Sequence, residues 1–111
     1  MQLELTEEQL GTVSIVHVKG RLDAISSPIL EQKVGALIDG GAAKLVLECH
    51  DLSYMSSAGM RVLLLATKKL GAHGKMVVCS LQDEVLDIIK MAGFHTILEI
   101  RPNQQEALLA F

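Results

Sequence analysis

KLVLECHDLSYMSSAGMRVLLLATKKLGAHGKMVVC, residues 44–79, is the stretch that decides the fold. Its first six residues, KLVLEC, form a short apolar run of the kind that makes a buried strand, and its last five, KMVVC, repeat the pattern. Between them residues 58–70 carry apolar side chains at helical spacing and stop at Gly71. Strand, helix and strand in this order form a crossover unit, whose two strands run parallel with a right-handed connection.

The same alternation extends outward in both directions. Upstream, Ser27 before Pro28 predicts a helix start, with the serine as N-cap and the proline at the first helical position. Leu30, Val34, Leu37 and Ile38 follow at helical spacing, and Gly40-Gly41 ends the run. Before that helix, residues 3–6 and the β-branched residues 12–19 predict two strands, with residues 7–11 as their turn. So short a connection pairs them antiparallel. Downstream, Ser80 with Asp83 predicts a capped helix ending at Gly93, residues 96–100 a further strand, and Asn103 with Glu106 a last helix to about Phe111. The expected fold is α/β, in the order β-β-α-β-α-β-α-β-α, with a mainly parallel central sheet and an N-terminal antiparallel hairpin. The 111 residues, free of low-complexity tracts and linkers, fit one domain over residues 1–111.

Composition narrows the function. Half of the residues are apolar but only 3% aromatic, so the core is built from Leu, Ile, Val, Met and Ala. A chain of this size buries roughly two-thirds of its unfolded surface and folds without metal or disulfide staples. The net charge of −3, with Lys68-Lys69 as the densest basic spot, argues against nucleic-acid binding. Cys49 and Cys79 sit in apolar runs without metal-ligand spacing and read as free, buried thiols. No segment approaches the roughly 20 apolar residues that span a bilayer, and no leader pattern opens the chain. A cytoplasmic protein with no membrane insertion, metal or cofactor is expected.

In open α/β sheets, ligands and partners favour the loops that follow the C-terminal ends of strands. The loop after KLVLEC is Asp51-Leu52-Ser53-Tyr54-Met55-Ser56-Ser57, entering a helix at Ala58-Gly59. Asp51 and Ser53 suit local side-chain turns, and Ser57 is placed to cap the helix. Gly59 is a poor helix former, costing about 1 kcal/mol against Ala, which makes sense where a helix approaches a sheet closely. At 100° per residue, Gly59, Val62, Leu63, Ala66 and Leu70 share the sheet-facing side. Ser57, Arg61, Leu64 and Lys68 share the other, a polar stripe holding one leucine that reads as a partner surface.

Asp51-Leu52-Ser53-Tyr54-Met55-Ser56-Ser57-Ala58-Gly59 resembles the signature of STAS domains, specifically that of bacterial anti-sigma-factor antagonists. Gly20-Arg21-Leu22-Asp23 resembles the family's Gly-x-Leu-Asp, and the order of elements matches across essentially the whole chain. The resemblance implies partner switching. An unphosphorylated antagonist binds an anti-sigma factor that is also a serine kinase, phosphorylation of the antagonist ends the binding, and a serine phosphatase restores it. The acceptor then falls on Ser57, with Ser56 the alternative, because Ser56 stands where many members carry an acidic residue. Asp23, Ser56, Ser57, Met60, Arg61, Leu64 and Lys68 make up the expected partner-binding set. Weak self-association stays open. The resemblance also admits a second role, as a regulatory subunit of a membrane transporter or a stressosome-type scaffold.

An enzyme is not expected. A serine-hydrolase elbow needs a glycine two residues before the nucleophile, which Met55-Ser56-Ser57-Ala58-Gly59 lacks. His17, His50, His73 and His95 are scattered, with His50 reading as a turn residue, and no Gly-x-x-x-x-Gly-Lys-Ser/Thr loop occurs.

Overall fold

A computed structural model describes residues 2–111. Two strands open the chain, β1 (Leu3–Leu10) and β2 (Val13–Leu22), paired antiparallel from Leu3↔Gly20 to Leu10↔Val13. The hairpin is longer and its turn tighter than the sequence suggests. Residues 7–10 belong to β1, and only Gly11 and Thr12 connect the strands, with Gly11 supplying the positive φ (+61°) of a two-residue turn.

Helix α1 (Ser27–Asp39), strand β3 (Lys44–Glu48), helix α2 (Ser57–Leu70) and strand β5 (Lys75–Cys79) follow the expected alternation. Between β3 and α2 lies a strand the sequence reading treats as loop, β4 (Leu52–Met55). It pairs parallel with the far end of β2, Gly20 to Leu22, across a register shift at Gly20/Arg21. β2 is long enough for two neighbours on one side: β3 along Val13–His17, then β4 beyond it. The sheet order is β1-β2-β3-β5-β6, with β6 (Glu99–Arg101) at the edge and every pair but the first parallel.

Three predicted boundaries move for local reasons. Ser26, not Ser27, is the N-cap residue of α1, and its hydroxyl makes no cap bond because it is turned onto the preceding loop. Ser80 does not cap α3 (Asp83–Met91). It sits at φ +62° with its hydroxyl donating to the Glu48 carboxylate at 2.8 Å, and Gln82 takes the cap position. Residues 96–98 are not strand, since a 3-10 turn over Phe94–Thr96 delays β6 to Glu99. The last helix, α4 (Gln104–Leu108), starts as expected, with the Asn103 carboxamide accepting the Glu106 N–H at 2.8 Å.

Strand alternation divides the core between the two faces of the sheet. Val16, Val18, Leu45, Leu47 and Val78 point to the face covered by α1, α2 and α3, meeting Leu30, Val34, Leu63, Val85 and Ile89. Val13, Ile15, Val46, Val77 and Cys79 point to the other face, beneath α4 and its Ala107. No helix is long and apolar enough to cross a membrane among the described residues.

Candidate functional site

The site forms where β4 runs into α2. The Ser56 N–H donates to the Leu22 carbonyl at 2.8 Å, so the β2–β4 ladder continues to Ser56 and holds it extended (φ −90°, ψ 175°). That geometry makes Ser56 the N-cap of α2, its hydroxyl oxygen accepting the Gly59 N–H at 3.4 Å. The cap expected at Ser57 is thus corrected by one residue. Ser57 is the first residue of the helix and is exposed, with no hydrogen bond to its hydroxyl among the described residues. One serine is spent on structure and the other is free.

Gly59 explains how closely this helix end lies on the sheet. A Cβ there would stand 2.8 Å from Leu22 Cγ and Cδ2 and 3.1 Å from Met55 Cγ. The expected sheet-facing residues, Gly59, Val62, Leu63, Ala66 and Leu70, are all buried. Met60 joins them at 5% exposure, which removes it from any direct partner surface. Arg61 and Lys68 are exposed as expected, but Leu64 is half-buried, and the leucine that faces water is Leu65, at 41%. At 100° per residue the exposed residues Arg61, Leu65 and Lys68 cluster on one side of the helix, with Leu64 at its margin.

Asp23 sits in the loop between β2 and α1, next in sequence to the Leu22 that receives Ser56. Its carboxylate accepts the N–H groups of Ile25 and Ser26, each at 3.0 Å, and the Gln2 side-chain amide at 2.6 Å. The Ser26 N–H above all, then that of Ile25, holds the acid below the usual carboxylate range. The Asp23 carbonyl accepts from Ser27, both N–H and hydroxyl, and the Ser26 hydroxyl donates to the Arg21 carbonyl at 2.7 Å. Asp23 therefore shapes the loop rather than offering a free carboxylate. The loop it shapes presents Ile25, 80% exposed, which the sequence reading does not single out. An isolated isoleucine in a polar loop carries no periodic signal, so only the folded geometry finds it.

The α2 helix has no acidic residue and three basic ones, in a chain of net charge −3. Lys69 is tied to Asp39 at 2.9 Å, whereas Arg61 and Lys68 make no ion pair among the described residues. The exposed side of α2 is thus cationic with an apolar element. No histidine or carboxylate hydrogen-bonds Ser56 or Ser57, and no three His, Cys, Asp or Glu side chains converge as metal ligands, among the described residues. His50 lies in the turn before β4, its N–H donating to Glu48 at 2.7 Å.

Comparison with known proteins identifies the family and the fold. The STAS domain family profile matches residues 4–107. BtrV of Bordetella bronchiseptica, assigned as an anti-sigma factor antagonist, is 31% identical over 98% of this chain and 95% of its own. The anti-sigma F factor antagonist of Paenibacillus polymyxa is 29% identical over 97% and 94%. Among solved structures, that of an anti-sigma factor antagonist from Mycobacterium paratuberculosis superposes with a TM-score of 0.91 at 26% identity, covering 97% of this chain and 92% of that one.

Proposed function

The chain belongs to the STAS domain family, matched over residues 4–107, and from that premise we propose that it is an anti-sigma-factor antagonist switched by phosphorylation of Ser57. The observation that carries the proposal is the free, exposed Ser57 hydroxyl at the first position of α2, beside a Ser56 already committed to the cap. The chain acts as partner and substrate rather than as enzyme. Unmodified, it binds an anti-sigma factor that is also a serine kinase, and so releases the sigma factor. The kinase then transfers the γ-phosphoryl of ATP to Ser57. The Oγ–P bond forms as the bond to ADP breaks, with the hydroxyl proton leaving to a base on the kinase. A serine phosphatase hydrolyses the ester and resets the switch.

The physical logic follows from position. A phosphate adds roughly 1.5 to 2 negative charges. At a helix N-terminus, where the first N–H groups lack partners, that charge is tolerated or favoured by about 0.3–1 kcal/mol, so the fold survives. The partner surface does not stay complementary. Arg61, Lys68 and Leu65, with Ile25 on the adjoining loop, suit an acidic surface with apolar elements, and such a surface is repelled by phosphate at its edge.

Peptide mapping by mass spectrometry, on the chain recovered from its native cells with and without stress, tests the acceptor. A single phosphate on Ser57 is expected; one on Ser56 moves the acceptor, and two unmodified serines in every condition refute the switch. With the anti-sigma factor that co-purifies with the chain, phosphorylated Ser57 or Ser57→Asp should lose about tenfold or more in affinity, roughly 1.4 kcal/mol. A change within about twofold sinks the proposal.

A further inference from the structure

Arg61 follows Ser57 by four residues on the exposed side of α2 and makes no ion pair or side-chain hydrogen bond among the described residues. We propose that Arg61 is the internal counter-ion of a phosphate on Ser57, so that phosphorylation also withdraws from the partner a guanidinium one helical turn from the modified serine. The inference rests on Ser57 being the acceptor and concerns what the phosphate does once it is there.

Helix geometry supplies the contact. Residues four apart are neighbours on a helix surface, roughly 5–6 Å between Cβ atoms, within reach of an arginine. Helical side chains lean toward the N-terminus, so the Arg61 side chain is directed over the turn that begins at Ser57. The order, anion first and cation four residues later, is the favourable one. A guanidinium also meets phosphate oxygens with two parallel N–H donors, which a lysine cannot do.

The other charges nearby are already engaged or too far. Arg21, on β2, stacks over the Tyr54 ring with Cζ 4.4 Å from the centroid. Lys69 is held by Asp39 at 2.9 Å. Lys68 is free but lies eleven residues along the helix from Ser57, about 16 Å. Asp23, the acid on the adjoining loop, has its carboxylate filled by Ile25, Ser26 and Gln2. Of these charges, Arg61 alone is both uncommitted among the described residues and one helical turn from Ser57. In the unmodified protein it is available to a carboxylate of the partner, and in the phosphorylated protein its own helix claims it. The switch then combines repulsion with the loss of an attractive group, and both act on the same surface.

The test needs no partner. The full chain carrying phosphoserine installed at position 57 during synthesis is titrated by phosphorus NMR, alongside Arg61→Gln, Lys68→Gln and Arg21→Gln versions. Arg61 favours the dianion, so Arg61→Gln should raise the second phosphate pKa, ordinarily near 6, by about 0.2–0.4 unit at low salt. Most of that difference should vanish in 1 M salt, where the screening length is about 3 Å. Lys68→Gln should leave the value unchanged. Equal pKa values for Arg61→Gln and the parent phosphoprotein overturn the proposal, and so does a larger shift in Arg21→Gln. Because the phosphate is installed rather than enzymatic, this readout stands apart from the acceptor assignment. Phosphate found in cells on Ser56 would defeat that assignment and leave the titration to judge the Arg61 contact alone.

Discussion

At the scale of single residues, two adjacent serines divide two tasks. Ser56 and Ser57 have the same chemistry, and either can cap a helix that begins near Ala58, so their order in the sequence does not separate them. What separates them is backbone: the ladder bond from Ser56 to Leu22 keeps Ser56 extended, and the helix starts one residue later. The division predicts different costs for the same substitution. Ser56→Ala removes the acceptor for the Gly59 N–H and should destabilise the protein by about 0.5–1 kcal/mol, toward the low end for a cap because the bond is long at 3.4 Å. Ser57→Ala removes an exposed hydroxyl with no partner and should stay within about 0.5 kcal/mol. Urea unfolding followed by circular dichroism measures both, and equal losses would mean that Ser57 carries structure as well. Asp23 teaches the complementary lesson. Its place in the motif was legible, but its carboxylate turned out to be engaged within its own loop.

At the scale of elements, the legible parts were those with long apolar periods. The α2 helix was readable from Gly59, Val62, Leu63, Ala66 and Leu70, and β5 from KMVVC, because each buries a continuous face. Strand β4 was not. Its four residues include an exposed serine and a half-buried tyrosine, and it exists because β2 runs past β3 and leaves an edge to be paired. Missing β4 and misplacing the cap of α2 share one cause, since the strand is what delivers Ser56 in extended form. Packing of the helices against the sheet also fixes what their glycines tolerate. Gly59→Ala drives a methyl to 2.8 Å from Leu22 and should cost about 1–2 kcal/mol, overpacking outweighing the gain in helix propensity. Gly35→Ala, in α1, meets nothing nearer than the Lys69 ammonium at 3.7 Å and should stabilise by about 0.5–1 kcal/mol. Thermal and urea unfolding of the two variants should therefore show shifts of opposite sign. If both destabilise, the difference in helix-to-sheet distance is not what sets their cost.

At the scale of the whole molecule, the sheet separates the side that carries the proposed acceptor from the side beneath α4. Ser57, Arg61 and the Asp23 loop belong with α1 and α2, while α4 covers the opposite face. The two cysteines mark that division. Cys49 directly follows β3 and Cys79 ends the neighbouring β5, the Cys49 N–H donating to the Cys79 carbonyl at 3.0 Å, yet their side chains join the cores on opposite faces. Both thiols are buried, and burial pushes Cys79 up to about 12 and Cys49 further, well above the usual thiol range. The consequence for stability has a definite sign. A thiol raised in the folded state stays protonated while the unfolded chain ionises near pH 9, so stability is full below pH 9 and falls as pH rises through the window above it. For the fully buried Cys49 the loss approaches about 1.4 kcal/mol per pH unit. Urea midpoints between pH 8 and 10.5 should fall more steeply for the parent chain than for Cys49→Ala, which keeps Cys79 but lacks the Cys49 contribution. Parallel curves would show that the Cys49 thiol reaches solvent, and that the core between the sheet and helices α1, α2 and α3 opens more readily than its packing implies.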